Sequence, residues 1–132
     1  MSWREIEHTA DWAIEVRAPN LDALLREAAR GMYGLAGCEL GDEVVEDEFE
    51  VDGPDDETVL VAFLDELLYR LDGRHAAFEQ LDIQRDGESL RAHVVGRNVT
   101  RIVKTIKAVT FHDLEIERRD DGDLAVTIVF DV

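Results

Sequence analysis

Cysteine is nearly absent. Cys38 is the single one among 132 residues, which excludes an intramolecular disulfide and any zinc site built on paired cysteines within one chain. A reducing cytosol is the compartment that such usage suits, and a cytoplasmic protein is expected. Lysine is almost as scarce, with Lys104 and Lys107 set against twelve arginines. No apolar run is long enough to span a bilayer, and Ser2-Trp3-Arg4-Glu5 does not lead into the apolar stretch of a signal peptide, so no membrane association is expected.

What is abundant is acid. Asp and Glu number 31 against 14 Lys and Arg, a formal charge of −17, and phosphate repulsion over most of such a surface argues against a general nucleic-acid-binding face. A cation or a basic partner is the easier inference, and the Lys-poor, acid-rich balance also suits solvation in high salt. The length is that of a single domain, residues 1–132, able to bury a core without covalent staples.

Apolar and polar residues alternate around Ile6 and from Trp12 to Val16, the period of half-buried strands. In that phase Asp11 shares a face with Ala13 and Glu15, and His8 to Asp11 links the two strands. Asn20 is a candidate N-cap for a helix carrying Leu21, Leu24, Leu25, Ala28, Met32 and Leu35, its end loosened by Gly31, Gly34 and Gly37 and followed by a loop to Gly41. A strand with one acidic face follows from Val44 to Val51. A second helix then places Leu60, Phe63, Leu64, Leu67, Leu68 and Leu71 on one stripe, with Gly73 as its C-cap. Phe78 to Gln84 and Ser89 to Val95 form a hairpin around Asp86-Gly87, and Val109 to Glu117 and Leu124 to Phe130 form another. Two helices and about six strands predict an α+β two-layer sandwich, with both helices on one face of a largely antiparallel sheet.

The common phosphate-loop, dinucleotide, zinc-protease and nucleophile-elbow motifs are absent. Cys38 lies in a Gly-rich stretch with nothing nearby to lower its pKa, which suits a small half-buried residue. Asp131 continues the polar side of the last strand after Thr127 and Val129, one residue from the α-carboxylate of Val132, and anions this close repel unless a cation or an arginine joins them. With Asp11 alongside, three carboxylates would offer hard oxygen ligands that select Ca²⁺ or Mg²⁺ over zinc. The alternatives are a turn in which Asp11 bonds backbone amides and a solvated chain end at Asp131. From Ser89 to Phe111 there is no acidic residue, while Arg91, Arg97, Arg101, Lys104 and Lys107 all fall there. The stretch from Asn98 to Lys107 reads either as a helix with a basic face or, given its β-branched residues, as strand or irregular structure. That patch suits an acidic partner or phosphate, unless the protein's own carboxylates neutralise it.

Taken together, these stretches resemble the archease family. The residues that carry the resemblance are Glu7-His8-Thr9-Ala10-Asp11; Leu21, Leu24, Ala28, Ala29 and Met32; Asp56-Glu57, Leu60, Phe63-Leu64 and Glu66-Leu67-Leu68; Ile106 through His112; and Asp131-Val132. Trp12 stands where the family usually has a small aliphatic residue, and Phe111 replaces a common tyrosine. The resemblance implies a protein without catalysis of its own, which activates an RtcB-type tRNA-splicing RNA ligase, promotes its guanylylation and turnover and can broaden its nucleotide use. It meets tRNA and GTP only through the ligase. The resemblance also implies a divalent cation, Ca²⁺, held by Asp11, Asp131 and the carboxylate of Val132, with His8, Lys107 and His112 as contacts to partner or nucleotide. A stand-alone metal-dependent phosphotransferase or hydrolase using the same carboxylates is the alternative.

Overall fold

The computed structural model describes residues 1–7 and 12–132. The chain runs β1 (Ser2–Glu7), β2 (Trp12–Ala18), α1 (Leu21–Ala36), β3 (Cys38–Asp52), α2 (Asp56–Arg74), β4 (Ala76–Asp86), β5 (Ser89–Ile102), β6 (Ala108–Val109), β7 (Glu117–Arg118) and β8 (Leu124–Asp131). All strand pairs are antiparallel, and two helices packed against antiparallel sheets give the expected α+β fold. The strands form two sheets rather than one: β1-β2-β8-β6 with β7 also on β8, and β3-β5-β4.

Both helices start where local chemistry says they should. Asn20 Oδ1 accepts from the Ala23 amide at 2.9 Å and Asp55 Oδ1 from Thr58 at 2.8 Å, each satisfying an amide that the first turn leaves unpaired. Their ends differ from expectation. α1 continues through Gly31 and Gly34 because those glycines admit neighbours: a Cβ at Gly31 would lie 2.6 Å from Ile14 Cδ1, and one at Gly34 2.5 Å from the Trp3 ring. It stops at Gly37, whose φ of 68° is left-handed and whose amide donates to Tyr33 and Gly34 carbonyls. β3 then begins at once, at Cys38, where a loop to Gly41 was expected. α2 runs past Gly73 and is capped by His75 at φ 51°, a costly conformation for a non-glycine residue. The Val99 amide, donating to the His75 carbonyl at 2.6 Å, ties that cap to β5.

Between helices and sheets lies a core whose largest fully buried side chains include Phe63, Phe130, Ile14, Leu24, Leu25, Met32, Leu60, Leu64 and Leu67. At roughly 1.5–3 kcal/mol for each large side chain removed from water, this burial is the main force holding the layers together. The β4–β5 hairpin turns at Gly87 with φ 65°. The expected hairpin of 109–117 against β8 is reduced to two short pairings, Ala108–Val109 at one end of β8 and Glu117–Arg118 at the other. Between them the chain detours, burying part of Leu114 and Ile116 against the core and bonding the Ile116 amide to Glu57 Oε2 at 2.9 Å. Among the described residues no helix is long and apolar enough to cross a membrane.

Candidate functional site

Among the described residues, Lys107, Asp131 and Val132 come together at the end of β8. β8 is central in its sheet, with Ala125, Val126, Ile128, Val129 and Phe130 all buried, so both of its faces are apolar rather than one. Its register with β2 sets Ala13 opposite Val129 and Trp12 opposite Phe130. Phe130 faces the core, alternation turns Asp131 the other way, and Asp131 is exposed while Val132 packs partly against the core. The main chain of Asp131 is held firmly. It pairs with Ala108, and its carbonyl accepts from the Lys107 amide at 2.7 Å. A fixed backbone with a solvent-facing carboxylate is how a strand end presents a ligand. Among the described residues, that carboxylate has no hydrogen-bond or ion-pair partner.

The structure thus brings Lys107, Asp131 and Val132 together, with the Lys107 side chain exposed. His112 is also exposed. Its amide donates to Thr110 Oγ1 at 3.3 Å, and its ring Nε2 lies 3.2 Å from Asp113 Oδ2. Thr110 in turn donates through both its amide and its hydroxyl to the Val129 carbonyl, each at 3.0 Å, which anchors this segment to β8. His8 and Asp11 lie outside the described residues. Among the described residues no group of three or more His, Cys, Asp or Glu side chains could hold a metal ion. Asp131 contributes a hard, unneutralised oxygen donor that fits Ca²⁺ or Mg²⁺, and it becomes a centre only when joined by further carboxylates.

The basic stretch is mostly spent within the protein. β5 extends through Ile102, and residues 103–107 have no regular structure, so the helical alternative for 98–107 is wrong; the β-branched Val99, Thr100 and Ile102 favour the ladder with β3 and β4. Arg97 reaches Glu79 at 2.9 Å, while Arg91 lies 3.7 Å from Glu50 and Arg101 3.7 Å from Glu39. Lys104 places its ammonium over the Trp12 ring. That contact gives Trp12 a role, since the aromatic face attracts the cation directly beside the β2–β8 end.

Three features were missed by sequence reasoning. Burial raises the Asp65 carboxyl, helped by the charge of Glu66, while a hydrogen bond to the Val109 backbone opposes the shift; this ties α2 to β6. An aspartate beside the apolar stripe of a helix was the available signal. Arg70 donates to Asp47 at 2.7 Å and to Glu66 at 2.7 Å and lies over the Phe49 ring, a network that no local spacing reveals. Finally, burial pushes the Tyr33 phenol above its ordinary range and the Cys38 thiol up to about 11, which keeps both neutral.

Comparison with known proteins covers nearly the whole chain. The model of the archease protein family matches residues 3–132. The chain is 34% identical to the protein archease of Archaeoglobus fulgidus and 31% identical to that of Pyrococcus furiosus, with 98% of each chain covered in both cases. Its fold superposes on the crystal structure of a Thermotoga maritima archease, reported as a possible chaperone, with a TM-score of 0.73, 29% identity and coverage of 98% of this chain and 96% of that one. A solution structure from Methanobacterium thermoautotrophicum gives a TM-score of 0.71 at 22% identity, covering 99% of both chains, a likeness of fold alone. With a match this complete, from the first strand to the Asp131-Val132 end, the chain belongs to the archease family.

Proposed function

We propose that this protein is a non-catalytic activator of an RtcB-type tRNA-splicing RNA ligase, promoting the ligase's guanylylation and multiple turnover and broadening its nucleotide use through a divalent-cation site. Asp131 is the observation that carries this reading: a carboxylate without a partner among the described residues, on a main chain fixed by Ala108 and Lys107. The β2–β8 register adds support. It reaches Trp12 with Phe130, and Asp11 precedes Trp12 by one peptide bond as Asp131 follows Phe130. Asp11 and Asp131, with the carboxylate of Val132 as the resemblance implies, would hold Ca²⁺ or another hard cation. Such an ion would supply charge stabilisation near the ligase's nucleotidyl transfer. Lys107 and His112, exposed on the segment bound to β8, are then contacts to ligase or nucleotide, as His8 would be.

The test is ligase guanylylation and turnover with wild-type protein and with Asp11→Ala and Asp131→Ala. Each variant should lose most of the stimulation while keeping its thermal transition. Undiminished stimulation by either one would falsify the proposal. Turnover of a phosphate ester by the purified protein alone would instead favour a metal-dependent phosphotransferase.

A further inference from the structure

The two sheets leave unequal edges. β6 and β7 are two residues each and β1 is six, while β4 has its Leu81 carbonyl taken by Arg26 of α1 at 2.8 Å. β3 is 15 residues long, lies at the end of its sheet and pairs only with β5 among the described residues. Just beyond it, the Gly53 amide donates to the Glu88 carbonyl at 3.3 Å, which sets the phase of the ladder: from Val45 onward the odd-numbered residues bond to β5, and the amides of Glu46, Glu48 and Glu50 turn outward. Of these, the Glu48 amide is covered by Asp47 Oδ1 at 2.8 Å. An edge with unpaired amides is a template for another strand. Beside it a groove of about 520 Å³ runs along α2, lined by Val51 of β3 and by Ala62, Asp65 and Tyr69 of the helix, and Tyr69 is 70% exposed. An added strand would send alternate side chains into this groove and set the others beside the outer row of Glu46, Glu48 and Glu50. β3 has no Lys or Arg, Glu48 and Glu50 share Arg91 at 3.9 and 3.7 Å, and Asp65 has no cation beside it among the described residues. These charges disfavour a second copy, whose own β3 would set acid against acid, and favour a basic strand.

We propose that the free edge of β3 and the α2 groove together bind an extended segment of a basic partner protein, in which small apolar residues alternate with Arg or Lys. Main-chain bonds to Glu46 and Glu50 supply affinity, while the groove and the acidic row read the alternation. The inference is independent of the ligase reading, since none of the residues assigned to the cation site takes part.

The probe is a short capped peptide of alternating arginine and valine, titrated into the full ¹⁵N-labelled chain. A second peptide of the same composition, with its arginines and valines in two blocks, measures attraction to net charge alone. The alternating peptide should give saturable shifts at the amides of Glu46, Glu50 and Tyr69 and bind several-fold more tightly than the block peptide. Glu50→Pro removes an outward amide without touching the bonds to β5 and should weaken binding about fivefold, the worth of one hydrogen bond. Glu50→Gln keeps the amide and should weaken it less. Tyr69→Ala, at an exposed position, should also weaken binding while leaving the thermal transition unchanged. Equal affinity for the two peptides, shifts scattered over the acidic surface instead of following β3, or a folded Glu50→Pro that binds as well as Glu50→Gln would each overturn the proposal. Undiminished binding by Tyr69→Ala would overturn it as well.

Discussion

Both sheets pair charges, Arg4 with Glu15 at 3.4 Å and Arg17 with Asp121 at 3.0 Å on the five-stranded one, but they differ at the end of β8. On the outer face of the three-stranded sheet, Glu48 and Glu50 of β3 face His93 and Arg91 of β5 in register, and Glu46 bonds the His93 ring at 2.5 Å. The five-stranded sheet has little charge at its centre. Its paired outer positions Ala13 with Val129 and Glu15 with Thr127 lead to Asp131, which has no such answer among the described residues. In a chain this acidic, the number of carboxylates on a surface says nothing about where a ligand binds. A carboxylate left without a cation on a rigid backbone has its charge available to an ion, but the same holds for Asp52 of β3 and Asp82 of β4; Asp131 differs from them in continuing the strand that pairs with β2, which Asp11 precedes.

That contrast can be broken first at the core of the five-stranded sheet. Phe130 is fully buried opposite Trp12, and Phe130→Ala should cost about 3–5 kcal/mol in urea denaturation. The next largest effect belongs to a carboxylate that is structural. Burial by itself would raise the Asp47 carboxyl, but Arg70, the Glu48 amide and Arg74 together hold it below its ordinary value. A depressed folded-state pKa stabilises the fold above the ordinary carboxylate range, and that contribution is lost as pH falls through the folded value. Asp47→Asn should therefore cost about 2 kcal/mol at neutral pH, and the difference from wild type should shrink as denaturation is repeated below about pH 4. Smallest of all should be Glu48→Gln, an exposed residue 3.9 Å from Arg91, and Asp131→Asn. Both should lie within about 0.5 kcal/mol of wild type. Calorimetric Ca²⁺ titration then separates the pair: binding should survive Glu48→Gln and weaken sharply in Asp131→Asn. Equal Ca²⁺ affinities would erase the distinction between the two sheets.

The legible parts of the fold are those set by neighbours in sequence. Asn20 announces α1, because a cap needs only the amides two or three residues on. The apolar stripe from Leu60 to Leu71 announces α2 for the same reason. Illegible were Gly31 and Gly34, which look like helix breakers until Ile14 and Trp3 are seen to need their space. The early start of β3 depends on Cys38 and Glu39 meeting Ile102 and Arg101 across an irregular ladder, a pairing of residues far apart in sequence. The detour at 110–116 likewise depends on Glu57 from α2.

At the candidate site the division is similar. Alternation along the last strand suffices to turn Asp131 away from Phe130, and composition alone makes a cation a natural ligand. The basic residues of 89–107 read as a patch in sequence, but in the fold most are taken by Glu39, Glu50, Glu79 and the Trp12 ring. By itself, then, the sequence determined two amphipathic helices, strands of period two, an acidic surface and an outward Asp131, all consequences of local geometry and charge. Only the tertiary structure decided which charges are spent and which remain, since neutralisation depends on distances of a few ångströms between residues brought together by strand register. The same register divided the strands into two sheets and left Asp131 at the end of one of them.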